Sequence, residues 1–396
     1  MENGFVRSIS VGLSQKGVRD HNERLLLSLL QRHGPTAGSD LARLAGLSPP
    51  TVSGILRRLE HEGILARGDP QRGKVGKPST PMRLAAAGVL SFGLKIGRRS
   101  AELVLIDFNG DPCHERQLTY ATPVPADIFT FLEKGVHSIR LEMGIARAAR
   151  ICGLGIAAPF EIWNRSDDRA VADDAFLPWR DIDLRQTAQD LTGLDVLLMN
   201  DATAACHAEH TYGRGREFRD YAYFFIGAFV GGGVVLNNSV FEGRQGNAGA
   251  LGSLRSIGPN GESMQLVDMA SIHQLEQRLL EVELDPHQLW NNPDSWHALS
   301  RYVDPWLGQT AQELAKAALS TCSVIDFEAI VIDGAFPASV RTDLVNRVQR
   351  YVTTQDTRGL VKPRIESGSI GGKARAIGAA TRPIGAQFML QHNLGP

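Results

Sequence analysis

The sequence predicts an α/β protein in which a small, basic, helical domain precedes a larger body. Apolar stripes with helical spacing mark residues 20–61, whereas short strand-like runs alternate with helical segments from Phe92 onward. The charge divides in the same way, because residues 1–84 carry 13 Lys and Arg against 7 Asp and Glu, and the remainder carries 29 against 36. A basic segment on an acidic body indicates a nucleic-acid partner for the first part alone.

The composition is typical of a cytoplasmic globular protein. The 396 residues are 43% hydrophobic, and the four cysteines form no CxxC pair, which favours reduced thiols over disulfides or a metal site. The first ten residues lack the apolar core of a secretion signal. The uncharged stretch from Tyr221 to Phe241 contains a run of three glycines at 231–233 and an Asn-Asn pair. We therefore expect strand, glycine loop, strand, Asn-Asn turn and strand there, and no membrane partner.

The basic segment contains a helix-turn-helix pattern. Residues 20–32 form an apolar-striped helix that a Gly-Pro breaker follows. Ser39 or Asp40 is expected to cap a short second helix that Gly46 ends, and Ser48 is expected to cap a third helix that opens with two prolines. Two helices joined by a tight turn that contains glycine make a helix-turn-helix.

The third helix is the candidate DNA reader. At about 100° per residue, four apolar residues share its inward face: Val52, Ile55, Leu56 and Leu59. We expect the opposite face, together with the cap residue, to contact DNA through Ser48, Thr51, Ser53, Gly54, Arg57 and Arg58. A glycine on an exposed helix face costs about 1 kcal/mol relative to alanine, so it indicates close approach of base edges or phosphates. The alternative is an ordinary helical hairpin that binds no DNA.

The stretch over residues 65–84 predicts a wing. It is rich in Gly and Pro, and its cations are Arg67, Arg72, Lys74, Lys77 and Arg83. A basic hairpin of this kind lies along phosphates or in a minor groove, and we expect Lys74 and Lys77 to contact DNA. Helix, helix-turn-helix and wing in this order predict a winged helix-turn-helix DNA-binding domain over residues 1–86.

The body begins with a hairpin and later places a carboxylate at a strand end. Residues 92–110 contain two apolar runs around a short turn, and a second strand ends at Asn200-Asp201 just before a helix. A carboxylate at the C-terminal end of a strand is where α/β folds place their chemistry. The alternative is that Asp201 only caps the helix that follows it.

Seven motifs in the body, taken in order, resemble the ROK family. They are FGLKIGRRS, GLGIAAPF, FLPWRDIDL, NDATAACHAEHTYGRG, FFIGAFVGGGVVLNNSVFEGRQGNAGALGS, AIVIDGAF and GGKARAIGAA. This family joins sugar kinases to winged-helix repressors, and the N-terminal domain resembles the repressor branch, which includes xylose, N-acetylglucosamine and glucose-regulon repressors. The resemblance implies a two-lobed, actin-like ATPase (ribonuclease H-like) ROK domain over residues 88–396. Lobe one takes about 88–200 plus 371–396, and lobe two takes about 201–370.

Both phosphate loops of the family are altered. The kinases of the family carry DxGGT where this chain reads KIGRR at 95–99, and they carry GTGxGGG where it reads GAFVGGG at 227–233. Phosphoryl transfer depends on positioning and charge stabilisation, so we expect no enzyme activity, no catalytic residue and no cofactor. Arg98 and Arg99 either bind an anion such as a sugar phosphate or are solvated at the hairpin tip, and we favour solvation.

The sugar site of the family is half preserved. The resemblance implies ligand contacts at Asn200, Asp201, Asn247, Ser253 and Trp179, although an aromatic residue at 179 also suits a core. The family motif AGExGH reads AGALGS at 248–253, so a glutamate and a histidine that hold sugar hydroxyls are missing. The zinc motif CGxxGCLE reads NGESMQLV at 260–267, and amide oxygens are poor zinc ligands beside thiolates. We therefore expect no metal.

Together these patterns predict a transcriptional repressor of carbohydrate-metabolism genes. Its expected partners are operator DNA and a sugar or sugar derivative that binds between the lobes. A homodimer or homotetramer is expected, because two-fold operators need paired readers. Two alternatives stay open: an active sugar kinase with an added DNA-binding domain, and a regulator that a protein partner controls while the cleft is vestigial.

Overall fold

A computed structural model describes residues 15–70, 80–159, 177–258, 260–291 and 294–390, with side chains from residue 20 onward. The chain starts with helices α1 (Gln15–His33), α2 (Gly38–Ala45) and α3 (Pro49–His61), and strands β1 (Leu65–Arg67) and β2 (Met82–Leu84) follow. The two strands pair antiparallel. Three helices followed by a hairpin form a winged helix-turn-helix, so the predicted N-terminal fold is confirmed.

Local sequence sets the ends of the first helices. α2 ends at Gly46, whose φ of 64° is readily adopted only by glycine. Ser48 caps α3, because its side chain accepts a hydrogen bond from a backbone N–H of the first turn at 3.4 Å. The N-cap of α2 is Ala37, so the expectation that Ser39 or Asp40 caps this helix is wrong. Asp40 lies in the first turn instead, where its charge suits the helix dipole.

The body contains two five-stranded sheets. The first sheet is built from β3 (Leu90–Ile96), β4 (Ser100–Ile106), β5 (Pro112–Thr119), β6 (Ile151–Ala158) and β7 (Val196–Asn200), and its helices are α4 (Pro125–Met143), α5 (Ile145–Ala148) and α6 (Leu184–Thr192). The second sheet is built from β8 (Tyr221–Ile226), β9 (Val230–Leu236), β10 (Ser239–Phe241), β13 (Ala329–Gly334) and β14 (Arg364–Ser367). Between β10 and β13 lie the short hairpin of β11 (Arg255–Ile257) and β12 (Ser263–Gln265), then α8 (Leu266–Ala270), α9 (Ile272–Glu281), α10 (Gln288–Asn291) and α11 (Ser300–Val324). The remaining helices are α7 (Asp201–Tyr212), α12 (Ala338–Thr354) and α13 (Ala374–Phe388).

The two sheets share one topology. The first has the order β5-β4-β3-β6-β7, and the second has the order β10-β9-β8-β13-β14. In each, the first three strands in sequence are antiparallel, and the last two run parallel to the first. This duplicated arrangement is that of actin-like ATPases, so the predicted α/β fold class is confirmed.

The uncharged stretch forms strands β8, β9 and β10 of the second sheet. Asn237 and Asn238 have φ values of 53° and 59°, which suits the tight turn between antiparallel strands. The glycines, however, lie inside β9 and not in the loop, which differs from the prediction. A Cβ built on Gly233 would lie 2.5 Å from Cys206 Cβ, so the glycines let α7 pack closely on the sheet. None of the described helices is both long and apolar enough to span a membrane.

Helices α7 and α13 pack closely against each other. A Cβ built on Gly378 of α13 would lie 1.7 Å from Ala204 O of α7, so only glycine allows this contact. Both helices begin near the carboxyl ends of the sheets and end near α1. Tyr212, at the end of α7, and Phe388, at the end of α13, pack against the apolar cluster that contains Leu26 and Leu30 of α1.

Hydrogen bonds from both sides join the DNA-binding domain to the body. Ser28 Oγ accepts from Leu390 N at 2.9 Å, and Arg32 donates to Asn238 Oδ1 at 2.8 Å. From the other side, Arg150 donates to Glu62 O, the backbone carbonyl that follows α3, at 2.8 Å. Helix α3 is thus held against the body near the C-terminal end of the helix.

Candidate functional site

Helix α3 has one buried face and one face that is exposed to solvent. Its apolar residues are between 1% and 7% exposed, so the predicted inward face is confirmed: Val52, Ile55, Leu56 and Leu59. The candidate DNA contacts on the opposite side are exposed: Ser48, Thr51, Ser53, Gly54 and Arg57. A Cβ built on Gly54 would meet no atom within 4 Å. No neighbour in the described chain therefore requires this glycine.

Arg58 is placed differently from Arg57. Its guanidinium pairs with Glu23 of α1 and lies 3.9 Å from Glu62. It is only half-exposed, because it fastens α3 to α1. Lys74 and Lys77, the wing residues expected to contact DNA, lie outside the described residues.

The second site is a cleft between the two sheets of the body. It is lined by the β3–β4 hairpin tip, the junction of β7 with α7, the loop between β8 and β9, residues 247–253 and the start of α13. The structure brings four of the five predicted ligand contacts to this cleft: Asn200, Asp201, Asn247 and Ser253. These side chains supply carboxylate, amide and hydroxyl groups that can hydrogen-bond a polyol.

Trp179 does not join the other four at the cleft. It is 3% exposed, and its ring lies 6.0 Å from that of Phe129 in the core of the first sheet. Its indole N–H donates to Pro123 O at 2.7 Å, and Pro123 does line the cleft. Trp179 thus supports the wall of the cleft from behind.

Asn200, not Asp201, caps α7. The side-chain oxygen of Asn200 accepts hydrogen bonds from Ala202 N at 2.9 Å and from Thr203 N at 3.2 Å. The alternative that Asp201 only caps its helix is therefore wrong. Its carboxylate faces the cleft, where Arg375 is its partner.

Arg375 is a site residue that the sequence interpretation missed. Its Nη1 lies 3.4 Å from Asp201 Oδ2, and its guanidinium carbon lies 5.0 Å from the centre of the Phe225 ring. The side chain is 8% exposed, and its Nε has no hydrogen-bond partner in the described chain. The available sequence signal was an arginine among the small residues of the run GGKARAIGAA.

A second buried ion pair lies beside the first. Lys95 donates to Ser100 Oγ at 2.8 Å and to Glu102 Oε1 at 2.9 Å. Burial lowers the pKa of Lys95 to about 8, although Glu102 opposes this change. Burial also disfavours the charged form of Glu102, but the charges of Lys95 and Arg375 outweigh it and lower the pKa of Glu102. The ion pair occupies the position of the family's first phosphate loop.

The two arginines of the hairpin tip are engaged with protein groups. The guanidinium carbon of Arg98 lies 4.9 Å from the centre of the Phe229 ring. Arg99 donates to Ala121 O at 3.1 Å and lies 3.6 Å from Glu276. The expectation that both are solvated is wrong, because aromatic and acidic partners across the cleft hold them. The β3–β4 hairpin tip and the loop between β8 and β9 thus touch each other.

Hydrogen bonds order the segment that replaces the family's zinc motif. Gln265 and Asp268 form a reciprocal capping box at the start of α8, with the Gln265 N to Asp268 Oδ2 distance at 2.9 Å. Ser256 of β11 donates to Glu313 of α11 at 2.6 Å. No group of three or more His, Cys, Asp or Glu residues in the described chain could hold a metal ion.

Two family models match separate parts of the chain. A family model for the ROK family matches residues 91–266, and one for winged helix-turn-helix DNA-binding matches residues 19–66. The chain is 24% identical over 240 residues to the xylose repressor of Bacillus subtilis strain 168. This alignment covers 61% of this chain and 62% of that protein. The alignment thus spans less than two thirds of that repressor.

Solved structures share the fold. One is a ROK family transcriptional regulator, a homologue of the E. coli MLC protein, with a TM-score of 0.64 and 19% identity over 93% of this chain and 96% of that chain. Another is a ROK hexokinase from Thermus thermophilus, with a TM-score of 0.50 and 21% identity over 74% of this chain and 97% of that chain. Regulators and kinases are therefore both structural neighbours.

Proposed function

This chain joins a winged helix-turn-helix DNA-binding domain to a ROK family domain, and we propose that it is a transcriptional repressor that releases operator DNA when a sugar binds. The observation that carries this proposal is the two-sided character of α3. Its apolar side is buried in the domain, while Thr51, Ser53, Gly54 and Arg57 are open to a major groove. We place the DNA-binding domain at 1–86 and the ROK domain at 88–396.

The ROK domain acts by binding and not by phosphoryl transfer. Asp201, the base that the family resemblance assigns, is paired with Arg375. Lys95 takes the place of an acidic residue, and Phe229 fills backbone space at the second loop, with Arg98 over its ring. Cations and a bulky ring at these places leave no arrangement of groups suited to a nucleotide and a metal ion.

The ligand is a sugar or sugar derivative held in the cleft. Asp201 and Asn247 offer acceptors and donors for hydroxyl groups, and Asn200 and Ser253 line the same space. The relatives named xylose repressors put a pentose among the first compounds to test. Binding between the lobes favours one degree of closure, and the contacts with α1 pass this change to the DNA-binding domain. We propose a homodimer or homotetramer, which presents paired α3 helices to a two-fold operator.

The test begins with selection of bound duplexes from a random library, which supplies an operator. Operator release is then followed by fluorescence anisotropy across a panel of pentoses, hexoses and their derivatives. Saturable release by one compound, without ATP consumption, supports the proposal. Sequence-independent DNA binding contradicts the repressor function, and sugar-dependent ATP turnover supports the kinase alternative. Tight operator binding that no sugar changes supports control by a protein partner.

A further inference from the structure

A second cavity lies between α1 of the DNA-binding domain and the body. The ends of α7 and α13 and the segment around β10 form its other walls. Its volume is about 710 Å³, which lies within the usual range for small-molecule sites. No described residue lines both this cavity and the cleft between the lobes. It is therefore a space separate from the cleft.

Four arginines from four different elements line this cavity. They are Arg32 of α1, Arg216 after α7, Arg244 after β10 and Arg382 of α13. Glu242 is the sole carboxylate among its described lining residues. Arg382 binds Glu242 through two hydrogen bonds of 2.7 and 3.2 Å. The one carboxylate among the described lining residues is therefore already paired with Arg382.

The other three arginines have no acidic partner in the described chain. Arg32 donates to the neutral amide oxygen of Asn238 at 2.8 Å, and Arg216 Nε donates to the backbone oxygen of Thr211 at 2.6 Å. Arg244 is exposed and has neither a hydrogen bond nor an ion pair with any described residue. Three positive charges around one cavity are thus left without compensation.

Two histidines also line this cavity. His207 Nε2 lies 3.1 Å from Glu242 Oε1, and His210 Nε2 lies 3.0 Å from Asn238 O. Burial, helped by the charges of His207, Arg32 and Arg216, lowers the pKa of His210 to about 4. His210 is therefore neutral near pH 7, and it can donate or accept without adding charge.

We propose that this cavity binds a small anion carrying a phosphate group, which bridges Arg32 of the DNA-binding domain to Arg216 and Arg244 of the body. Guanidinium groups suit phosphate because their parallel N–H donors match its oxygens. An anion that contacts both domains stabilises one placement of the DNA-binding domain on the body. It therefore shifts operator affinity in addition to any effect of the sugar, and operator DNA shifts the affinity for the anion by the same factor.

The experiment measures binding of inorganic phosphate and of glycerol 3-phosphate to the full chain without DNA. Isothermal calorimetry is run at constant ionic strength, with sodium chloride and glycerol as controls. The wild type is compared with Arg216→Gln, Arg32→Gln and the conservative Arg216→Lys. Arg358→Gln is the matched control, because Arg358 is an exposed arginine paired with Asp356 in a distant turn. Melting temperatures show that each variant is folded.

We expect saturable binding of both phosphates, weakened by roughly tenfold or more in Arg216→Gln and Arg32→Gln because each loses a charge-assisted hydrogen bond. Arg216→Lys should recover part of the affinity, and Arg358→Gln should bind like the wild type. The proposal is overturned if the phosphates have no more effect than chloride, or if Arg216→Gln binds them as tightly as the wild type. Loss of binding in Arg375→Gln alone would assign the anion to the cleft instead.

Discussion

Arg375 Nη1 lies 3.4 Å from Asp201 Oδ2, and this ion pair links the first turns of α13 and α7 inside the cleft. The two residues are 174 positions apart in the sequence. The pair holds the carboxylate of Asp201 inside the cleft and keeps a buried cation beside it. Ligand binding must therefore compete with, or reorganise, an existing contact between two helices.

Replacing Asp201 by Asn should weaken binding of the inducer without abolishing binding of DNA. A charge-assisted hydrogen bond contributes roughly 1.5–3 kcal/mol, so inducer affinity should fall on the order of tenfold to a hundredfold. Arg375 is left as a buried charge without a counter-ion, so the melting temperature should also fall. Adding Arg375→Met should restore stability but not affinity. Both quantities are measured on one preparation, by thermal unfolding and by operator release across an inducer titration.

The control for this experiment is Asp183→Ala, because Asp183 caps α6 by accepting from Gln186 N at 2.9 Å and does not line the cleft. Loss of this cap should cost about 1 kcal/mol of stability, without the selective loss of inducer response expected for Asp201→Asn. If Asp201→Asn melts earlier yet responds at the wild-type inducer concentration, Asp201 has only a structural role.

Arg57 and Arg58 should differ in their effect on DNA binding. Arg57 is exposed on α3, so Arg57→Ala should weaken binding to all duplexes and reduce the salt slope by roughly one. Arg58 pairs with Glu23, so Arg58→Ala should mainly lower the melting temperature. Anisotropy titrations between 50 and 200 mM salt, a range chosen because counter-ion release is large there, measure the slope.

Lys74→Ala with Lys77→Ala tests the wing in the same assay, and these changes should act like Arg57→Ala. Arg43→Ala on α2 is the matched exposed control. Unchanged operator affinity and salt dependence in a folded variant lacking Arg57, Lys74 and Lys77 would remove the basis for the DNA-binding assignment.

The chain should not phosphorylate sugars. Lys95 and Phe229 stand in the two phosphate loops, and Arg375 engages Asp201, so the groups that phosphoryl transfer needs are not arranged for it. ATP consumption with a panel of hexoses and pentoses should match a control without protein. Turnover that Asp201→Ala abolishes would contradict this prediction, and turnover that persists in Asp201→Ala would come from a contaminant.

The buried lysine should make stability rise in mildly alkaline solution. The folded pKa of Lys95 is about 8, below the ordinary 10.5. Between these values the unfolded chain binds more protons than the folded chain, so the free energy of unfolding contributed by Lys95 increases with pH. Below pH 8, Lys95 is charged in both states, and its burial destabilises the folded chain by the full amount. Relative to Lys95→Met/Glu102→Gln, the wild type should gain on the order of 1–3 kcal/mol between pH 7.5 and 10. Denaturant unfolding at a series of pH values measures this gain, and parallel curves for the two proteins would contradict it.

Sequence patterns predict the local elements because local spacing determines them. The inward face of α3 follows from its apolar residues, and the tight turn at Asn237 follows from residues that tolerate positive φ. The prediction that the glycines of β9 form a loop is wrong, although glycine runs are typical of loops. Here the close packing of α7 on the sheet overrides that preference.

The contacts of the charged residues could not be predicted in this way. A helical projection places Arg58 on the outer face of α3, but the position of α1 brings Glu23 to it. The chain from Asp201 to Arg375 contains an entire sheet, so their pairing depends on the complete fold. Family motifs bring Asn200, Asp201, Asn247 and Ser253 to the cleft. Arg375 lies in one of these motifs, GGKARAIGAA, but the motif does not indicate its pairing with Asp201.

The helices α7 and α13 carry a consequence for how the two ligands sense each other. Both start at the cleft and both end against α1, and at Gly378 they are packed too tightly for one to slide without the other. In the proposed function, the two helices therefore connect the sugar site to the DNA-binding domain. Thermodynamic reciprocity then requires that the operator acts as an effector of the sugar site. A protein bound to its operator should hold its inducer more weakly than the free protein, by the same factor by which the inducer weakens the operator complex.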